Sequence, residues 1–526
     1  MFKRSTAAIG LVMLLALVAA ACGGATISAS GGDGSAGARA AAKINPKARL
    51  VYGTPLDGSG FSQRLQPAAM TAICDAVVGN QVFSPVIKLD VKTQRLVPNL
   101  AASWKVVDPS TFSFKLRPNL TFQDGTKLDA AAAKAALDIT RAPTSKLNPT
   151  LSVVTGVDAG ADGLTVTLHL ATPTASAMPY TLAGREGYLA AAASTDTHPI
   201  GAGPFGFDSQ TVGQKISLTK FAKYWNAKSV KLGGIDYVTT AANAGVNSVI
   251  AGDIDSTDGG TDVNAPAEHD PNVKIETATG ASYWKININT SKPNLNNAQF
   301  RQAMNYAIDR ATIAKTLFGP SAEVAAEPYP TTFKLQYQKN MANKYPYNPK
   351  KAIATLKAAG ITTPVSITGA YPAGIATFQR FAEIVQQELK AVGINLTLAP
   401  SPNLLDTYFQ KQQGDIEFTL WPPRPDPSVT ISRQFAPDGS ANAGKNNDPN
   451  IVAGLAKITG SVDPTVQGQG YKQAVDAIVT QALEVPIVYP VNTEVHRTYV
   501  TSKNWQVYGP CQGVDFSQLA ITTAKK

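Results

Sequence analysis

The sequence predicts an α/β chain of two lobes with a cleft between them. Three observations carry this. From Leu50 to Asp270 the text is mostly strand-like, with short helices. From Asn296 onward long amphipathic helices stand between strands. One stretch there reads strand, helix, strand with short links, which is a βαβ unit and requires a parallel pair. The length of 526 residues permits two to four domains of about 100–200 residues. Charged residues are 16% of the chain and mean hydropathy is −0.07. These values exclude an acidic disordered chain and a polytopic membrane protein. The net charge of +10 comes from dispersed residues, so it gives no nucleic-acid footprint.

The elements follow in order. Lys3 and Arg4 precede an apolar run, Ala7 to Ala20, that is too short to span a membrane. Ala19-Ala20-Ala21 then leads into Cys22, a pattern that resembles a bacterial lipobox. Residues 1–21 are thus expected to be a lipoprotein signal peptide and Cys22 the lipidated N-terminus. An ordinary signal peptide with an incidental cysteine is the alternative. Sixteen of the 21 residues from Gly23 to Lys43 are Gly, Ala or Ser, which makes 22–43 a lipidated cysteine and flexible tether. Only Cys74 and Cys511 remain. In an exported chain an even pair suggests a disulfide, with two buried free thiols as the alternative.

Thr111 to Leu116 alternates polar and apolar residues, as a half-buried strand does. Asp129 is placed to cap a helix from Ala130 to Ile139. Lys215 to Thr219 is a second alternating strand. Phe300, Ala303, Met304, Ala307 and Ile308 fall on one helix face. Asn348-Pro349 starts a helix that Gly360 stops. A third helix, carrying Phe378, Phe381, Val385 and Leu389 and ending at Gly393, lies between strands at Val365 and Ile394.

Catalytic chemistry finds little support. The four histidines are isolated, so no metal site is expected. No Gly-x-Ser-x-Gly elbow occurs, which counts against a secreted hydrolase. Gly439 to Asn446 nearly spells a phosphate loop but lacks the Ser/Thr after Lys445, and Pro449 follows in place of a continuing helix. No cofactor is expected.

Several stretches in one order resemble a known family. They are Leu96 to Trp104; Phe112 to Gly125; Pro199 to Phe205 with Tyr224-Trp225; Asn289 to Pro293; Arg301 to Arg310; and Tyr347 to Gly360. Together they resemble the extracellular solute-binding proteins of the dipeptide- and oligopeptide-binding type, which serve bacterial ABC importers. The residues themselves read as structural. Trp104, Phe114 and Phe122 are expected in the core, Gly201, Gly203 and Pro204 in a tight turn, and Arg301 and Asp309 in local ion pairs.

The resemblance implies a two-lobed periplasmic-binding-protein-like fold with an inserted subdomain and a hinge-lined cleft. Lobe I would comprise 44–88 and 196–278, with a subdomain at 89–195. Lobe II would run over 279–491, and 492–526 would return to lobe I. Hinge crossings fall near Glu276 to Trp284 and Tyr489 to Thr493. Cys74 and Cys511 then share a lobe, which supports their pairing. Peptide-binding members lay a Trp on the peptide and place an acid shortly after it for the ammonium. Trp421 matches the Trp, but Arg424 or Pro423 stands where the acid belongs. A guanidinium turned inward favours a carboxylate or phosphate; turned to solvent, it takes no part. Asp426 substitutes only if the loop is rebuilt. Tyr283 and Trp284 face the site from the hinge, one of them in a packing role. The expected ligand is a peptide or peptide-like solute whose free ammonium is not required. The expected partners are the permease subunits of an ABC importer and, through the lipid, the outer face of the cytoplasmic membrane. The protein would act as a monomer without nucleic acid or enzymatic activity. A non-transport lipoprotein acting as sensor or envelope-assembly factor is the alternative.

Overall fold

The computed structural model describes residues 43–525, except 57–60, 63, 73, 241–243, 261–263, 281, 422–425, 462 and 510–512. Two large sheets divide the described chain. The first has seven strands in the spatial order Val273–Thr279, Val491–Arg497, Ser256–Asp258, Arg49–Thr54, Gly234–Thr239, Lys215–Lys220 and Phe205–Thr211. Arg49–Thr54 runs parallel to both its neighbours, and the other pairs are antiparallel. The second has six strands in the order Glu323–Val324, Glu484–Tyr489, Tyr283–Ile288, Ile416–Trp421, Val365–Pro372 and Ile394–Ser401.

The βαβ unit lies in the second sheet. Val365–Pro372 pairs in parallel with Ile394–Ser401, and helix Ala376–Lys390 makes the crossover. Phe381, Ala382, Val385 and Leu389 are buried against that sheet, as their helical spacing requires. The caps sit where the sequence signals them. Asp129 accepts from Ala132 N at 3.1 Å, and Asn348 accepts from Lys351 N at 2.9 Å. The helix at Phe300 spans Ala298–Ala307, and Asp309 caps the next one, Arg310–Phe318.

A third sheet of four strands, in the order Ala101–Asp108, Thr111–Leu116, Thr165–Leu170 and Val154–Ala159, packs on helix Ala130–Arg141 over its own core. Phe114 and Phe122 lie in that core, whereas Trp104 is only half-buried at its edge. Gly201 and Gly203 serve close approach rather than turn geometry. A Cβ on Gly201 would stand 2.3 Å from Val82 O, and one on Gly203 2.2 Å from Gln81 O. The expected ion pair of Arg301 is replaced by carbonyls. Arg301 is buried, and its guanidinium donates to Leu295 O at 2.7 Å and Gln481 O at 2.8 Å. A buried cation far from water needs such partners, and carbonyls satisfy its fixed fork of donors.

The chain leaves the first sheet at Thr279 and enters the second at Tyr283; it leaves the second at Tyr489 and re-enters the first at Val491. The two passages are tied together. Thr279 pairs with Val491, and Gly280 N donates to Pro490 O at 3.0 Å.

Candidate solute-binding site

A cavity of about 350 Å³ opens against these passages. Thr279 and Asn492 form its wall on that side. Helix Asp75–Val82 supplies Asn80 and Gln81, strand Ile87–Asp90 supplies Lys88, and the short turn Arg185–Gly187 supplies Arg185 and Glu186. The volume is near the lower end of the range of about 300–1,000 Å³ found for small-molecule sites. It suits a compact solute rather than a long extended one.

Four charged side chains, Lys88, Asp515, Arg185 and Glu186, line this space, and their pairing decides what is left for a ligand. The Lys88 ammonium is bonded to Asp515. Burial pulls its pKa down and Asp515 more than reverses this, so the pair is charged and internally neutral. Arg185 donates through Nη1 to Ala72 O at 2.7 Å and has no carboxylate partner among the described residues. Glu186 is half-buried and makes no hydrogen bond or ion pair among the described residues. The turn that carries both is rigidly seated. Val86 N donates to Gly187 O at 3.0 Å, and a Cβ on Gly187 would stand 2.0 Å from Leu182 O.

Tyr180 lines the same cavity and lies within the field of Asp426. Burial, with the Asp426 charge, pushes its hydroxyl up to about 12. Nearby, Ser176 Oγ donates to Thr459 O at 3.0 Å and joins the four-stranded unit to helix Pro449–Gly460. Asp426 is buried, and one of its oxygens accepts from Ser428 N at 2.8 Å at the start of helix Ser428–Phe435. Burial raises its carboxyl to about 6, so at neutral pH it remains mostly ionised.

In the six-stranded sheet strand alternation sends Tyr283 and Lys285 to one face and Trp284 to the other. Tyr283 shares a buried cluster with Trp421 and Tyr489. Its hydroxyl donates to the Glu484 carboxylate at 3.0 and 3.2 Å. Lys285 is fully buried, with Nζ 2.7 Å from Glu484 Oε2 and bonded also to Gln434 Oε1. Burial lowers its pKa and Glu484 opposes this. The rings of Tyr283, Trp421 and Phe435 surround the ammonium at 5.4, 5.6 and 5.5 Å from their centroids. Trp421 Nε1 donates to Thr430 Oγ1 at 3.3 Å, which fixes the indole edge.

Of the residues expected at the site, Trp421 and Tyr283 therefore stand together, with Asp426 near Tyr180. Trp284 takes the packing role. Its ring lies 4.0 Å from Phe378 and 4.9 Å from Phe318 in the core on the opposite sheet face. Arg424, Cys22 and Cys511 lie outside the described residues. The sequence reading did not single out Arg185 or Glu186. They sit on a one-turn 3₁₀ segment with no periodicity, and only the fold brings them to Asn80 and Lys88.

Residues 95–442 match the family described as Bacterial extracellular solute-binding proteins, family 5 Middle. The chain belongs to that family. It is thus one of a class of binding proteins rather than enzymes, and its folded part works outside the cytoplasm. No helix among the described residues is long and apolar enough to cross a membrane. Glutathione-binding protein GsiB of Shigella flexneri serotype 5b is 25% identical over 492 residues, covering 84% of this chain and 90% of that protein. GsiB of Escherichia coli K12 gives the same identity and coverage. Among solved structures, the periplasmic murein tripeptide-binding protein MppA in its unliganded open form superposes with a TM-score of 0.80 at 18% identity, over 92% of this chain and 99% of that one. A nickel ABC transporter protein from Bacillus halodurans gives 0.78 at 21% identity, over 90% and 100%. These likenesses establish the two-lobed fold.

Proposed function

We propose that this family 5 protein captures a small peptide or peptide-like solute between its lobes and delivers it to an ABC importer. The observation that carries the reading is the compact cavity against the paired chain passages, lined by an arginine and a glutamate without charge partners among the described residues. The names of its relatives, one glutathione-binding and one murein tripeptide-binding, support the same solute class. Thr279 to Tyr283 and Tyr489 to Val491 act as the hinge. Segments 44–88 and 196–278 with 492–526 form lobe I, 89–195 its subdomain, and 279–491 lobe II. Closure about that hinge would bury the solute, with Trp421 and Tyr283 forming the second lobe's wall; Arg424, the other residue expected there, lies outside the described residues.

The same proposal anchors the chain through lipidated Cys22, with residues 1–21 removed and 22–43 as tether, and has it work as a monomer. It also pairs Cys74 with Cys511. Cys74 is disulfide-bonded, and a Cβ on Gly513 would lie 3.2 Å from Val77, so the segment after Cys511 runs beside the helix that Cys74 begins. Uptake of labelled glutathione and labelled di- and tripeptides by cells lacking this protein tests the transport role. Loss of uptake of at least one, restored by the intact gene, is expected; unchanged uptake of the whole panel would refute it.

A further inference from the structure

The cavity chemistry specifies the solute more closely than its size does. After Lys88 and Asp515 cancel, one guanidinium and one carboxylate remain, on consecutive residues of one rigid turn. Their side chains form no ion pair with each other. Neighbouring opposite charges that do not meet are each left for a partner supplied from outside. Arg185 spends Nη1 on Ala72 O, so its remaining N–H groups are available as charge-assisted donors to an oxyanion. Glu186 is acceptor-only when ionised and is half-buried, so an ammonium in the cavity would meet less competition from water than at a fully exposed carboxylate. Lys88 cannot serve as the anion donor while Asp515 holds it.

We infer that Arg185 and Glu186 are the paired recognition groups for a compact zwitterionic solute, its carboxylate going to Arg185 and its ammonium to Glu186. This rests on the reading of the cavity as the solute site. It reverses the expectation, drawn from Arg424 alone, that a free ammonium is dispensable. Glu186 supplies the acid that is missing after Trp421. The turn is fixed by Gly187 and by the Val86–Gly187 hydrogen bond, so the backbone that carries both charges is set before the solute arrives. Such preorganisation lowers the ordering cost of binding.

Calorimetry on the folded full chain tests this with glutathione and a set of di- and tripeptides, each also in N-acetylated and carboxyl-amidated form. For a peptide that binds, acetylation should weaken the wild type on the order of tenfold or more, the scale of one charged contact. The same acetylation should cost Glu186→Gln little further, because the contact is already gone. Amidation should behave likewise with Arg185→Gln. Glu186 makes no contact that the fold needs, so its variant remains informative if Arg185→Gln fails to fold. If a peptide binds but both blocked forms weaken wild type and variants alike, the pairing is wrong while the solute-binding reading stands. If no peptide in the panel binds the wild type, the solute-binding reading itself falls, and this inference with it.

Discussion

Replacing Glu484 by glutamine keeps the shape of the side chain and removes the only carboxylate bonded to Lys285 among the described residues. Lys285 and Glu484 are 0% and 2% exposed at the side chain, so water cannot replace the lost charge without opening the sheet–helix interface. Breaking a buried pair from one side costs about 3–5 kcal/mol, because the survivor is an uncompensated ion. The variant has one escape, which is to bury Lys285 as a neutral amine. At pH 7 that costs about 1.4 kcal/mol for each unit below the ordinary ammonium value near 10.5, or about 5 kcal/mol in all. The two routes agree in size, so a loss of about 3–5 kcal/mol is expected at pH 7. The sign with pH follows. In the variant the folded pKa of Lys285 lies below the unfolded one, so the penalty is full at low pH and fades as pH rises toward 10.5. Urea unfolding followed by tryptophan fluorescence at pH 7 and pH 10 measures both. A Lys285→Met, Glu484→Gln double variant should recover most of the loss, since neither charge then remains buried. A Glu484→Gln protein within 1 kcal/mol of wild type at pH 7, or equally destabilised at pH 10, would refute the reasoning.

Four further outcomes are expected. Glu327 is buried with one oxygen unpartnered among the described residues, and burial pushes its carboxyl up to about 8 from an ordinary 4.5. The folded protein therefore keeps this proton while the unfolded chain loses it. Wild-type stability should fall between pH 4.5 and 8 by up to about 1.4 kcal/mol per unit from this group, and Glu327→Gln should flatten that slope in pH-dependent urea titrations. Trp284→Ala should cost about 3–5 kcal/mol by opening a cavity beside Phe378 and Phe318; solute affinity should be unchanged in calorimetry, and a fall in affinity without a fall in stability would place Trp284 at the ligand instead. Cys22→Ala should move the protein from the membrane to the soluble fraction, whereas membrane association as firm as wild type would end the lipid-anchor reading. Thiol labelling of the unreduced, denatured mature chain should find neither Cys74 nor Cys511 reactive, and two reactive thiols would exclude their pairing.

The architecture was legible because its signals are local. Asp129, Asn348 and Gly393 punctuate helices through backbone hydrogen bonds and a positive φ, which depend little on the rest of the fold. The spacing of Phe381, Val385 and Leu389 names a buried face without saying what it faces. The errors share a cause. Arg301 reads as a charge paired along its own helix, but its partners are carbonyls, Leu295 O nearby and those of Gln481 and Ala482 some 180 residues away. Trp104 looked like core and lies at the rim, because its strand is exposed on alternate residues at the edge of its sheet. Of the residues expected at the site, Trp421 rests on a resemblance, and Tyr283 and Trp284 on their place at the crossing. The opposite duties of those last two follow from strand alternation, which fixes opposite faces but not which face meets the ligand. Arg185 and Glu186 carry no sequence signal. Their importance lies in partners they lack, and an absence of partners is visible only when the neighbours are in place.

Native mass spectrometry of the full chain, purified without denaturation from cells grown on peptide-rich medium, reads out whether the protein carries such a solute. One small solute per folded chain is predicted, released on unfolding, of di- or tripeptide size and bearing both an amine and a carboxylate. A chain that carries no stoichiometric solute and takes up none from added glutathione or di- and tripeptides would contradict it.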